Sequence, residues 1–239
     1  MQIFQIKLIF QKQEKYIEKK FYYHILWAVL NLFENNNEIY QNILKISFSF
    51  DKEQFYVFLS VFWKQTFNQV VSILLEKQWE IFSVNSYKFQ LTKVDFNFKI
   101  LDFGNLALNP VEKFSLKFLS PTLVRNQNKI FTLPVPERFL YSVYQKLLKL
   151  WVFTEENKDF KKWLQFAVVP SKFNLKTERT EKIEIKKSFR WGVVGEISYV
   201  VYEENEEFQK ILDLILKSIP YIWLGSGIRS GLWNVKVYF

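Results

Sequence analysis

The sequence predicts an α+β chain built from two tandem ferredoxin-like (RRM-like, βαββαβ) domains. Three observations lead there. At about 150 residues per domain, the 239 residues suit one large domain or two small ones. Each half of the chain runs in the order strand, helix, strands, helix, strand. Between the halves, Gly104-Asn105 through Asn109-Pro110 supplies the residues that break regular structure. The expected domains are therefore 1–110 and 111–239.

In the first half, Met1 to Phe10 alternates as a strand, and Phe21 to Phe33 is apolar and long enough for a helix. Ile46 to Phe50 and Phe55 to Ser60 form two strands about a turn at Asp51-Lys52-Glu53. Lys64 to Lys77 is an amphipathic helix, and Tyr87 to Leu101 alternates again. The second half opens with a strand over Glu112 to Val124. Pro136 then suits a helix start, and Glu137 to Val152 repeats apolar residues at helical spacing. Leu164 to Val169, Ile183 to Trp191 and Val193 to Tyr202 read as strands. Glu203 to Ser218 is a helix with acids in its first turn, which suits the macrodipole. Trp233 to Phe239 closes as a strand.

Composition removes whole classes of chemistry. With 49% hydrophobic residues the chain has ample core and is not disordered. It has no Cys, which excludes disulfides, thiolate metal sites and cysteine nucleophiles. His24 is the single histidine, so zinc constellations and a Ser-His-Asp hydrolase have little to build on. No cluster of Asp or Glu stands at ligand spacing, and no metal or cofactor is expected. The longest apolar run, Ile25 to Leu30, is far short of the roughly 18 residues that span a bilayer. The N-terminus alternates rather than forming a leader, so a cytoplasmic protein without a membrane partner is expected.

The net charge is +9, and it is uneven: residues 1–110 carry +2, residues 111–239 carry +7, and all five arginines lie in the second half. Such a field points to a polyanion, nucleic acid first and an anionic membrane surface second; a basic protein kept in solution by its lysines has the same charge. Two segments sharpen the choice. Lys172 to Arg190 holds seven basic and three acidic residues, including Lys186, Lys187 and Arg190. It suits a ribbon along a phosphate backbone or a solvated hairpin. The stretch Trp223 to Trp233 contains three of the six glycines. The backbone N–H groups of Gly225, Gly227 and Gly231 could converge on an anion, with Ser226, Arg229 and Ser230 as added donors. A plain turn uses the same residues, and neither a Walker loop nor a dinucleotide fingerprint is present. Trp223, Trp233 and Tyr221 beside it are stacking candidates.

This C-terminal stretch resembles the glycine-rich signature of the CRISPR-associated RNA-processing endoribonucleases, the Cas-six family of the RAMP superfamily. Aligned on the strand Val235-Lys236-Val237, the second and third signature glycines fall on Gly225 and Gly231; the first and fourth fall on Trp223 and Trp233, a departure. Phe118-Leu119-Ser120-Pro121-Thr122 with Pro134-Val135-Pro136 resembles the family's F-x-S-P-T and P-x-P block. Gly192-Val193-Val194-Gly195 resembles its G-x-x-G strand pair. The resemblance implies binding of CRISPR repeat RNA and a single metal-independent cut, by 2′-OH attack on the adjacent phosphate. The products would be a 2′,3′-cyclic phosphate and a 5′-OH. It also implies other effector-complex subunits as partners; a non-catalytic guide-RNA scaffold of the same superfamily is the alternative.

Such a cut requires a base, an acid and donors for phosphate charge. Histidine suits the proton transfers, since its unperturbed pKa is near 6.5. Lys20, His24, Ala28 and Asn31 share one face of the expected first helix, a small or polar stripe on an apolar element. His24, with Lys20 one turn away and Tyr23 adjoining, is the candidate catalytic group. A histidine at the edge of a core would occupy the same position.

Overall fold

The computed structural model describes residues 1–12, 29, 32–33, 39, 42–50, 54–84, 87–122, 124–126, 129–131, 133–179, 191–222 and 235–239. The chain divides into two compact units, the first passing to the second between Gly104 and Asn105. Each carries its own antiparallel sheet.

The first sheet contains β1 (Gln2–Lys12), β2 (Ile43–Phe50), β3 (Gln54–Phe62), β4 (Ile81–Val84) and β5 (Tyr87–Asp102), in the spatial order β2-β3-β1-β5-β4. The alternation of β1 explains its central place. Ile6, Leu8 and Phe10 turn to one face and meet Leu59, Val57 and Phe55 directly across the β3 register. Phe10 and Phe55 stack with centroids 4.7 Å apart. Helix α1 (Lys64–Glu76) seals this face with Val70 and Leu74, four residues apart and fully buried. Val29 and Phe33, also four apart, are buried in the same core. The rest of the expected Phe21 to Phe33 helix, apart from Leu32, lies outside the described residues, as does the Asp51–Glu53 turn. β4 was not expected; four residues long, it is too short for a periodic signal and is held by its pairing to β5.

The second unit contains β6 (Lys113–Thr122), a small hairpin β7 (Val124–Asn126) and β8 (Lys129–Phe131), then α2 (Pro136–Lys149), α3 (Lys158–Ala167), β9 (Val168–Arg179), β10 (Trp191–Val201), α4 (Glu206–Ser218) and β11 (Val235–Tyr238). Its sheet order, β11-β6-β10-β9, is the ferredoxin-like arrangement, and the first sheet has the same plan with β4 added at one edge. Phe114, Leu116 and Phe118 of β6 alternate into the core, where α2 adds Phe139, Leu140, Val143 and Leu147 at helical spacing.

The strand expected at Leu164 to Val169 is instead the end of α3 followed by the first residues of β9. Six residues of mostly apolar sequence could not separate the two periods. The deciding signal lies upstream: the Asn157 side chain accepts from the N–H groups of Asp159 and Phe160, and Phe160, Trp163, Leu164 and Ala167 then bury one helical face. The same device moves the start of α4 from Glu203 to Glu206, because the Asn205 side chain accepts from Phe208 N–H at 3.0 Å. The expected strand over Val193 to Tyr202 lies within and just beyond β10, while Ile183 to Arg190 falls outside the described residues.

The segment after Gly104 is tied to α4. Asp213, 2% exposed, accepts from Asn109 N–H at 2.9 Å and from Lys217 Nζ at 2.6 Å, and Lys217 also donates to the Ala107 carbonyl at 2.7 Å. Among the described residues, no helix is long and apolar enough to cross a membrane.

Candidate nucleic-acid interface

Most of the residues singled out for chemistry lie outside the described part of the structure. Lys20, Tyr23 and His24 are outside it, as are Gly225, Ser226, Gly227, Arg229, Ser230 and Gly231 of the glycine stretch, and Lys186, Lys187 and Arg190 of the basic ribbon. The structure does fix where the last two segments are attached. Lys172 to Arg179 of the ribbon form the end of β9, and Arg179 pairs with Trp191, so residues 180–190 join two neighbouring strand ends. The glycine stretch leaves a turn in which Tyr221 and Ile222 N–H both bond to the Ser218 carbonyl at 2.9 Å. It returns at Val235, opposite Phe118 of β6. Tyr221 is half-buried, and desolvation raises its phenol pKa.

Two of the motif blocks and the closing strand of the third meet on β6. Its Ser120-Pro121-Thr122 lies opposite the start of β10, where the register shifts between Val193 and Gly195. Proline lacks the N–H that a regular ladder needs and is tolerated at such a bulge. Gly192 packs so closely there that a Cβ would stand 2.7 Å from the Pro121 carbonyl carbon. Gly195 has φ of +113°, and a Cβ on it would collide with the Asn174 carbonyl oxygen. The Pro134 carbonyl accepts from Tyr199 Oη at 2.5 Å, and the Tyr199 ring stacks on Phe114. β11 pairs on the other edge of β6. Gly195→Ala is expected to destabilise the protein by about 2–5 kcal/mol through overpacking and backbone strain. An unchanged urea midpoint would contradict the geometry of this bulge.

The outward face of the second sheet is basic. Register places Lys236, Lys117, Glu196 and Asn174 in one row, and Tyr238, Ser115, Ser198 and Lys172 in the next. Lys113, Lys117, Lys172 and Lys236 are exposed, Tyr238 is 46% exposed, and the Ser115 and Ser198 hydroxyls lie 2.8 Å apart. Four cations and an aromatic against Glu196 can follow a phosphate backbone and stack a base. Of the lysines on this face, the ribbon expected from sequence contains Lys172 alone. The signal for the face was present as lysines alternating with Phe114, Leu116 and Phe118.

A second polar feature crosses the first sheet. Gln5, Ser60 and Lys45 lie in one register row, all buried, with Gln5 Nε2 donating to Ser60 Oγ at 3.3 Å. Burial lowers the Lys45 ammonium to about 8, so its proton is held loosely near neutral pH. Among the described residues, no group of three His, Asp or Glu could hold a metal ion.

Residues 116–232 match the family model described as CRISPR-associated endoribonuclease Cas6. No curated protein matches the chain by sequence. Among solved structures, a Cas6 (TTHA0078) product complex is similar with a TM-score of 0.83 at 15% identity, covering 100% of both chains. Thermus thermophilus Cas6 (TTHB231) is similar with a TM-score of 0.75 at 16% identity, covering 99% of this chain and 98% of that one. A structure titled as an RAMP protein binding different RNA substrates is similar with a TM-score of 0.59 at 13% identity over 99% and 100%. At these identities the structural likeness carries the fold.

Proposed function

We propose that this chain, which belongs to the Cas6 family of CRISPR-associated endoribonucleases, binds the CRISPR repeat of a precursor RNA and cuts it once. The observation that carries this reading is the pairing on β6 of the F-x-S-P-T block with the β10 strand that bears Gly192 and Gly195 and with the V-x-V strand β11, in and just beyond the span that matches the family, beside a lysine-bearing sheet face. The reading extends to a cytoplasmic protein that retains its product RNA within an effector complex.

The reaction is a transesterification. The ribose 2′-oxygen bonds to the adjacent phosphorus as its proton passes to a base, and the phosphorus–5′-oxygen bond breaks as that oxygen takes a proton from an acid. His24 serves the proton transfers, with Tyr23 and Lys20 as donors to the phosphate. The glycine stretch, through Gly225, Ser226, Gly227, Arg229, Ser230 and Gly231, cradles phosphates, and Lys186, Lys187 and Arg190 follow the backbone. A guide-RNA scaffold that does not cut is a second reading, favoured by Trp223 and Trp233 in place of two signature glycines.

Labelled repeat RNA separates the two readings: one discrete cut supports the enzyme, and tight binding with no cut supports the scaffold. The sheet face has its own test. Replacing Lys117 and Lys236 together by Gln should flatten the salt dependence of binding by about 1.4 units of slope, at about 0.7 per contact to single-stranded RNA. An unaltered slope would remove this face from the interface.

A further inference from the structure

Among the described residues, three non-glycine positions have positive φ, and all three are tryptophans: Trp63 at 72°, Trp79 at 75° and Trp151 at 59°. Each is exposed, Trp151 most of all at 72%. The local geometry is clearest at Trp151. Leu150 caps α2, Trp151 N–H bonds to the Leu148 carbonyl at 2.9 Å, and Val152 N–H bonds to the Leu147 carbonyl at 3.0 Å. This pair of bonds is the Schellman ending, and Trp151 occupies the left-handed position that glycine normally takes. A bulky side chain there costs about 1–2 kcal/mol that glycine does not incur. With most of the ring in water, packing returns little of that cost. Strain at an exposed residue points to a partner.

The surroundings indicate which kind. Between residues 146 and 162 there are five lysines and three acids. Glu156 is engaged by Tyr141 Oη at 2.5 Å and Gln145 Nε2 at 2.6 Å, and Asp159 pairs with Lys162 at 3.3 Å. Lys149, exposed in the last turn of α2, is two residues from the ring. An exposed indole two residues from an exposed lysine, in a segment with more lysines than acids, fits a nucleotide, whose base stacks while its phosphate meets the ammonium. A protein-docking tryptophan would be expected at the centre of an apolar patch.

We propose that Trp151 is a stacking platform for an unpaired nucleobase of bound RNA, with Lys149 contacting the adjoining phosphate. This rests on the RNA-binding reading and adds a specific contact to it. Trp151→Gly should raise the urea midpoint, because strain is relieved, while weakening repeat-RNA binding about 5- to 100-fold. Trp151→Phe should keep most of the affinity. An abasic nucleotide placed successively along the repeat should, at one position, reproduce the loss and add nothing to it in the glycine variant. If wild type binds and Trp151→Gly binds equally well, the proposal is wrong and the ring is left for a protein partner. A lowered urea midpoint would overturn the strain argument on which it stands. A wild-type chain that binds no repeat RNA would instead overturn the RNA reading itself.

Discussion

Alanine in place of His24 is expected to slow single-turnover cleavage of repeat RNA by about 10²-fold or more while leaving repeat affinity nearly intact. Two proton transfers accompany the cut, and His24 is the one imidazole in the chain. An imidazole titrating near 6.5 holds both protonation states in usable amounts around neutral pH. Its removal should therefore also flatten the pH–rate profile around neutral pH, an effect that mere loss of packing would not produce. On the expected helix His24 shares its stripe with Lys20, Ala28 and Asn31, and Val29 and Phe33 of the same segment are buried in the core. Full-rate cleavage by the alanine variant would transfer the proton chemistry to Lys20, Tyr22, Tyr23 or Lys45, or leave the rate to substrate positioning alone. Of these residues, Lys45 has its ammonium lowered to about 8 by burial.

The fold was legible where a single period ran long enough to be unambiguous. β1, β5, α1 and α2 each repeat their pattern over ten or more residues, and the helix start at Pro136 was marked by the proline itself. It was illegible where the deciding group lay outside the window. Leu164 to Val169 is apolar enough for a strand; what makes its first four residues helical is Asn157, seven residues earlier, the cap of α3. The motif residues were visible as a resemblance, but not their mutual contacts. Gly195 needs to be glycine because Asn174 lies behind it, and Gly192 because Pro121 does. Both facts depend on strand register, which becomes fixed only when β6, β9 and β10 assemble. The sheet-face lysines outside the ribbon were missed for the same reason. Lys117 and Lys236 are 119 residues apart in sequence and become neighbours through one pairing.

A single 2′-deoxy substitution just 5′ of the scissile phosphate should abolish cutting and spare binding. If the 2′-oxygen is the nucleophile, no other atom of the substrate can replace it, so the loss should be complete rather than graded. Binding draws on many phosphate contacts, and one missing hydroxyl removes none of the charge that sustains them. The same mechanism needs no activated water. Cleavage should therefore proceed fully in excess EDTA, and the upstream fragment should end in a 2′,3′-cyclic phosphate or its opened product. The residue inventory favours this outcome: with no Cys and one His, the chain offers few of the ligands from which a two-metal nuclease is built. Carboxylates brought together from distant segments could still supply one, which is why the EDTA and deoxy experiments belong together. A strict requirement for Mg²⁺, or normal cutting of the deoxy substrate, would rule out 2′-OH attack even if the protein proves to cut RNA. Loss of cutting on the deoxy substrate with full activity in EDTA would leave the ribose as the source of the nucleophile and the protein's own side chains as the source of the acid and base.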